Sequence, residues 1–237
     1  MKLLSIECSS REISVAAIHG ERTARTDSAG FSGNAGSGDR KGTSALLVPM
    51  IQSVLEEVSV APGDVELIGV TKGPGSFTGL RVGVVTARTM AYVSGAKLVG
   101  VNTLEAVAIK TAEVSNIETG ATLNVVVNAQ RGQLFGGRYR AVDDGVEAVG
   151  DMQLFDREQW LESIEDGEIV SGPGLKPVLQ ALEESTGAVI APESCREPDV
   201  LFVAKIAGRD RVGSNDAVWN LEPVYFRPSY ADEKVSD

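Results

Sequence analysis

The sequence predicts a duplicated α/β fold, two lobes that each carry a mixed β-sheet flanked by helices, on three observations. A strand–turn–strand opening, Lys2 to Ile18, recurs about 120 residues later as Leu123 to Tyr139. In both halves a later strand runs into a Gly-Pro-Gly turn, Gly73-Pro74-Gly75 and Gly172-Pro173-Gly174, and a helical pattern follows. The succession of strand, helix and strand over Leu67 to Val101 needs a crossover and so implies parallel pairing beside the antiparallel hairpins. The predicted lobes are residues 1–104 and 105–237, with the C-terminal segment able to pack back on the first lobe.

Taken in order, Lys2 to Cys8 and Ile13 to Ile18 are apolar strands around the turn Ser9-Ser10-Arg11, and Glu21 to Thr26 adds a third. Ala29 to Gly42 is rich in small residues and too poor in apolar groups to pack, so it reads as a mobile loop. From a cap at Thr43 or Ser44 a helix runs to Val58, with Leu47, Met50, Ile51, Val54, Leu55 and Val58 at three- and four-residue steps. Leu46 and Val48 widen that stripe, which suggests a second buried face against a neighbour inside or outside the chain. A strand over Leu67 to Val70 leads through Gly73 to Gly79 into a helix ending near Ser94, then a strand over Lys97 to Val101. Asn102-Thr-Leu-Glu105 has the form of a capping box opening another helix.

Net charge is −11, and the scattered Lys and Arg give no basic footprint of the kind that grips nucleic acid directly. Cys8 and Cys195 suggest no disulfide framework, Met1 to Ser10 is too short and polar for a signal peptide, and no apolar run reaches the roughly 18 residues of a membrane span. A cytoplasmic protein is the expectation.

The single histidine, His19, falls at a strand end, which leaves neither a metal cluster nor a Ser-His-Asp triad to assemble. Cys8 on a central strand reads as a small core residue rather than a thiolate. The turn Gly73 to Gly79 ends at a helix N-terminus, where free amides favour an anion; Gly73, Gly75, Ser76 and Thr78 are candidates for a weak anion or nucleotide site. The turn matches no established phosphate loop, and in the structural alternative Ser76 or Thr78 caps the helix while the glycines permit close packing. Glu7 ends the first strand and could face a metal-nucleotide between the lobes, with Asn128 in the analogous place; a hydrogen-bonded strand end explains both as well. Arg81 and Arg88, two helical turns apart, suit either an anionic partner or a solvated face.

The runs Gly73-Pro-Gly-Ser-Phe-Thr-Gly-Leu-Arg-Val-Gly83, Leu98-Val-Gly-Val-Asn-Thr-Leu-Glu105 and Glu222-Pro-Val-Tyr-Phe-Arg-Pro-Ser-Tyr230 resemble the TsaB/YeaZ family. The resemblance implies a two-lobed actin/Hsp70-like fold and a non-catalytic role in forming threonylcarbamoyladenosine in tRNA. The catalytic paralogue, TsaD, carries a His-x-x-x-His metal pair that would fall here on Thr103 and Val107, neither of which can take that part. The resemblance also implies pairing with a TsaD-like transferase through helices Thr43 to Val58 and Ser76 to Ser94, a TsaE-like ATPase joining the assembly, homodimers in the partner's absence, and tRNA met only indirectly. Leu47, Met50, Ile51 and Val54 are the interface residues expected, with Arg81 and Arg88 beside them.

Three departures from the family pattern weaken the case for a nucleotide cleft. Glu7-Cys8 stands where the family commonly has Asp-Thr, Thr43 where it has His, and Asn128-Ala-Gln-Arg131 where it has Asp-Ala-Arg. No cofactor is expected beyond weak ATP or ADP binding. The alternative reading is an autonomous ATPase or kinase-like enzyme of the same fold, resting on Glu7 and the Gly73 to Gly79 turn; a peptidase reading finds no nucleophile with its base.

Overall fold

The structure, a computed structural model, describes residues 1–28, 43–185, 187–210 and 220–224. The loop expected over Ala29 to Gly42, the caps expected at Thr43 or Ser44 and the motif from Tyr225 to Tyr230 lie outside the described residues and side chains. The first half contains β1 (Lys2–Glu7), β2 (Ser14–His19), β3 (Arg22–Asp27), α1 (Thr43–Glu57), β4 (Leu67–Gly73), α2 (Phe77–Ser94), β5 (Lys97–Asn102) and α3 (Thr103–Val114). The second contains β6 (Thr122–Gln130), β7 (Gln133–Val142), β8 (Gly145–Ala148), β9 (Gln153–Asp156), α4 (Arg157–Glu162), β10 (Ile169–Ser171), α5 (Leu179–Ser185), β11 (Val189–Ile190), α6 (Glu193–Arg196) and α7 (Val200–Arg209).

The duplication is visible in the strand order. One sheet runs β3-β2-β1-β4-β5 and the other β11-β10-β6-β7-β8, with β9 added on β7. Reading β6, β7, β8, β10 and β11 for β1, β2, β3, β4 and β5 gives the same sequence of antiparallel and parallel pairs. Strand β1 is central and covered on both faces, which is why Leu3 to Glu7 are all buried although their side chains alternate in direction. Edge strand β3 reads Arg-Thr-Ala-Arg-Thr-Asp and buries only Ala24, a polar edge that discourages further strand addition.

Helices and sheets alternate in layers. Leu4, Ile6, Ile68 and Val70 point toward α1 and α2, whose Leu47, Met50, Val54, Val84 and Ala87 complete the first core. On the opposite face Leu3 and Leu67 meet Ala204 of α7. Helix α7 lies against β1, β4 and α3, so α3 and α7 form the middle layer. The other face of α3 packs on β6, β7 and β8, and Trp160, Leu175, Val178 and Leu182 close the far side of the second sheet.

This packing corrects the interface expected on α1. Leu47, Met50, Ile51 and Val54 are 0–4% exposed and belong to the core of their own lobe. A single stripe at helical spacing can serve only one face, and here the sheet takes it, each such side chain contributing about 1.5–3 kcal/mol on burial. Among the described side chains, the large apolar one that α1 turns outward is Val48, 57% exposed.

Candidate functional site

The lobes face each other across a cleft whose near wall is the loop after β1. Side-chain alternation puts Glu7 on the same face as Leu3 and Ser5, toward α7 and the segment that leads into it. Its carboxyl group is 1% exposed and curls back onto its own loop. Oε1 accepts the Ser9 backbone N–H at 2.6 Å and the Ser9 hydroxyl, and Oε2 lies 2.8 Å from the Ser10 hydroxyl. Burial pushes the Glu7 carboxyl above the usual carboxylate range; the bonds from Ser9 and Ser10 pull it back, and the charge of Glu197 adds to the rise. Burial likewise pushes the Cys8 thiol well up, with Glu7 adding to it, so Cys8 is a core residue and no thiolate.

The turn between β4 and α2 is held directly against that loop. Ser76 is the N-cap of α2 and accepts the Gly79 N–H at 3.3 Å, while its own N–H donates to Ser9 O at 2.6 Å. A Cβ at Gly75 would run into Ser9 O and one at Gly79 into Cys8 O, so these two glycines exist for close approach of backbones. The structural alternative for the turn thus describes what Gly75, Ser76 and Gly79 do; Gly73 is buried against Val224 and Leu80, and Thr78 is exposed at the cleft.

Between the lobes lies an open cavity of about 580 Å³ lined by Ser10, Arg11, Thr78, Thr103, Asn128 and Glu197 among others. Asn102 caps α3 through the Leu104 N–H at 2.8 Å, but Glu105, expected to close the capping box, instead pairs with Arg209 at 2.6 Å. Thr103 and Val107, the positions of the paralogue's metal pair, are 1% and 0% exposed, and among the described residues the Thr103 hydroxyl has no hydrogen-bond partner. Among the described residues no group of three His, Cys, Asp or Glu is placed to hold a metal ion. Asn128 stands at the end of β6, exposed to the cleft. A magnesium-nucleotide, which this kind of cleft implies, does not fit the residues present: the loop donors that would meet phosphate already hold Glu7, and Glu197 adds a carboxylate at the mouth.

A second surface lies on the outside of the first lobe. Phe77, Arg81, Val85, Arg88 and Tyr92 recur every three or four residues along α2 and form one stripe. Phe77, Val85 and Tyr92 are 43%, 60% and 66% exposed, and the Arg81 guanidinium sits 4.0 Å from the Phe77 ring centroid. Val48 of the adjoining α1 and Val93 continue the apolar character. The periodicity that singled out α1 would have found this stripe had it been applied to α2; Glu197, by contrast, reaches the cleft from 190 residues beyond Glu7 and leaves no local signal.

Two lobes of repeated topology around a cleft define an actin/Hsp70-like α/β protein. The family model described as TsaD, tRNA N6-adenosine threonylcarbamoyltransferase, matches residues 40–203, and the chain belongs to that family, within it to TsaB/YeaZ. The tRNA threonylcarbamoyladenosine biosynthesis protein TsaB of Bacillus subtilis is 26% identical over 203 residues, covering 82% of this chain and 84% of that protein. Its namesake in Escherichia coli is 25% identical, covering 80% and 82%. The crystal structure of YeaZ from Pseudomonas aeruginosa superposes with a TM-score of 0.74 at 20% identity, covering 95% of this chain and 99% of that one, which establishes the shared fold. Among the described residues no helix is long and apolar enough to cross a membrane.

Proposed function

We propose that this chain is a non-catalytic subunit in the formation of threonylcarbamoyladenosine in tRNA, binding and supporting a TsaD-like transferase through the outer face of α2 with Val48 of α1. The observation that carries the reading is the α2 stripe, whose aromatic and arginine side chains are of the types that anchor interfaces, with the exposed Val85 between them, and whose length suits another helix pair. Membership of a family whose curated relatives are named for this biosynthesis supports the process. Thr103 and Val107 at the paralogue's metal positions support the non-catalytic role. In this reading the same face makes a homodimer when the partner is absent, a TsaE-like ATPase joins the pair, and the charge of −11 leaves tRNA to the partners.

Light-scattering chromatography of the chain alone, and mixed with the TsaD homologue of the same organism, tests this. The expected result is a homodimer that converts to a heterodimer, and a Val85→Asp variant that is folded, monomeric and unable to bind. Unchanged association by Val85→Asp would overturn the surface, and threonylcarbamoyl transfer to tRNA by the isolated chain would overturn the non-catalytic role.

A further inference from the structure

The loop after β1 is a small nest of donors pointing at one place: the Ser9 N–H, the Ser9 hydroxyl and the Ser10 hydroxyl, the last sharing its single hydrogen between Glu7 Oε2 and Glu12 O, each at 2.8 Å. Three converging donors of this kind bind oxyanions, and in a cleft between lobes the expected occupant is a phosphate. Here the occupant is the protein's own side chain. We infer that Glu7 fills the phosphate-binding nest from within, so that this cleft takes up no nucleotide until Glu7 is removed.

Two further contacts hold the loop in this shape. Ser76 N–H donates to Ser9 O at 2.6 Å, and Gly75 stands where any side chain would strike that oxygen, so the turn before α2 is held directly against the loop that Glu7 fills. Chain length matters as well. Glu7 has one methylene more than aspartate, and that reach lets the carboxyl turn back past the strand end to the N–H two residues on. A nest left unfilled in a buried site leaves its donors without partners, a cost that offsets the unfavourable burial of the carboxyl group that fills it.

The test is calorimetric titration of magnesium-ATP and of inorganic phosphate into the full chain and three variants. The wild type should give no saturable heat. Glu7→Ala, which frees the Ser9 N–H and hydroxyl and leaves the Ser10 hydroxyl to Glu12 O, should give saturable binding at least tenfold tighter than the weakest affinity the titration resolves, and Glu7→Asp should fall between it and the wild type. Glu197→Gln removes a carboxylate from the same mouth without freeing a donor and should stay within twofold of wild type. An equal gain by Glu197→Gln would mean that charge relief and not the nest is responsible, and micromolar binding by the wild type would refute the self-filled loop outright; either result overturns the inference. A folded Glu7→Ala with no gain does so too. Because removing Glu7 could unfold the loop, hydrogen exchange on wild-type Ser9 to Glu12 with and without millimolar magnesium-ATP supplies an independent reading: no change is expected, and nucleotide-dependent protection of that loop overturns the proposal.

Discussion

Glu7 combines two opposed effects, and their balance sets a pH dependence. Burial favours the neutral acid and outweighs the bonds from Ser9 and Ser10, so its folded-state value lies above that of the unfolded chain. As pH rises past about 4.5 the unfolded chain releases this proton first, while the folded chain keeps it. The unfolded state then binds fewer protons, and stability falls with rising pH until the folded-state value is passed, after which the contribution is level. Glu197 is raised in the same direction, chiefly by burial, with Lys110 opposing and Glu12 reinforcing. A Glu7→Gln variant keeps the Glu197 contribution and loses the other. Urea melts between pH 4 and 8 should therefore show a shallower fall for the variant than for the wild type; parallel curves would mean that Glu7 keeps an ordinary value.

At the scale of the element, α2 shows a local preference giving way to packing. Gly79 and Gly83 sit in the helix, where alanine would be favoured by about 1 kcal/mol for helix formation alone. A methyl at Gly79, however, would meet the Cys8 carbonyl oxygen, which is backbone and cannot swing away. Gly79→Ala is expected to destabilise by about 2 kcal/mol or more, measured as a lower urea midpoint at unchanged slope, and a gain in stability would show that the helix start can shift to make room. The same contrast explains what could be read from the sequence. Periodicity located α1, α2 and their limits, because apolar spacing depends on neighbours three and four residues away. It did not say which neighbour the stripe of α1 meets, since a core face and a partner face have the same pattern; Leu47 and Val48 are adjacent in sequence and 0% and 57% exposed. The Ser76 cap and the Asn102 cap were legible because their chemistry is local. The turn of Glu7 onto Ser9 was not, because a carboxylate at a strand end can equally face solvent, a ligand or its own loop.

The whole molecule is tied together by α7, which comes late in the chain and completes the first sheet. Leu3, Ser5, Leu67 and Gly69 face it: Ser5 donates its hydroxyl hydrogen to Val200 O at 3.0 Å, Leu3 and Leu67 pack on Ala204, and Gly69 has no room for a Cβ beside Ala207. Val224 returns to the same lobe, its N–H bonded to Lys72 O at 2.7 Å, and Leu221 packs beside Gly100. A fragment ending at residue 104 would keep every strand of the first sheet yet leave one face of its two central strands bare. Uncovering that face removes the cooperativity of a core, because β1 and β4 are buried on both faces and Leu3, Leu67 and the polar Ser5 would meet solvent together. The fragment 1–104 alone should accordingly bind a hydrophobic dye and melt without a cooperative transition, whereas co-expression with 105–237 should yield a stable pair that co-purifies and melts cooperatively. A cooperative melt of 1–104 by itself, near that of the full chain, would show that α7 is dispensable to the first sheet and that the lobes fold as independent units.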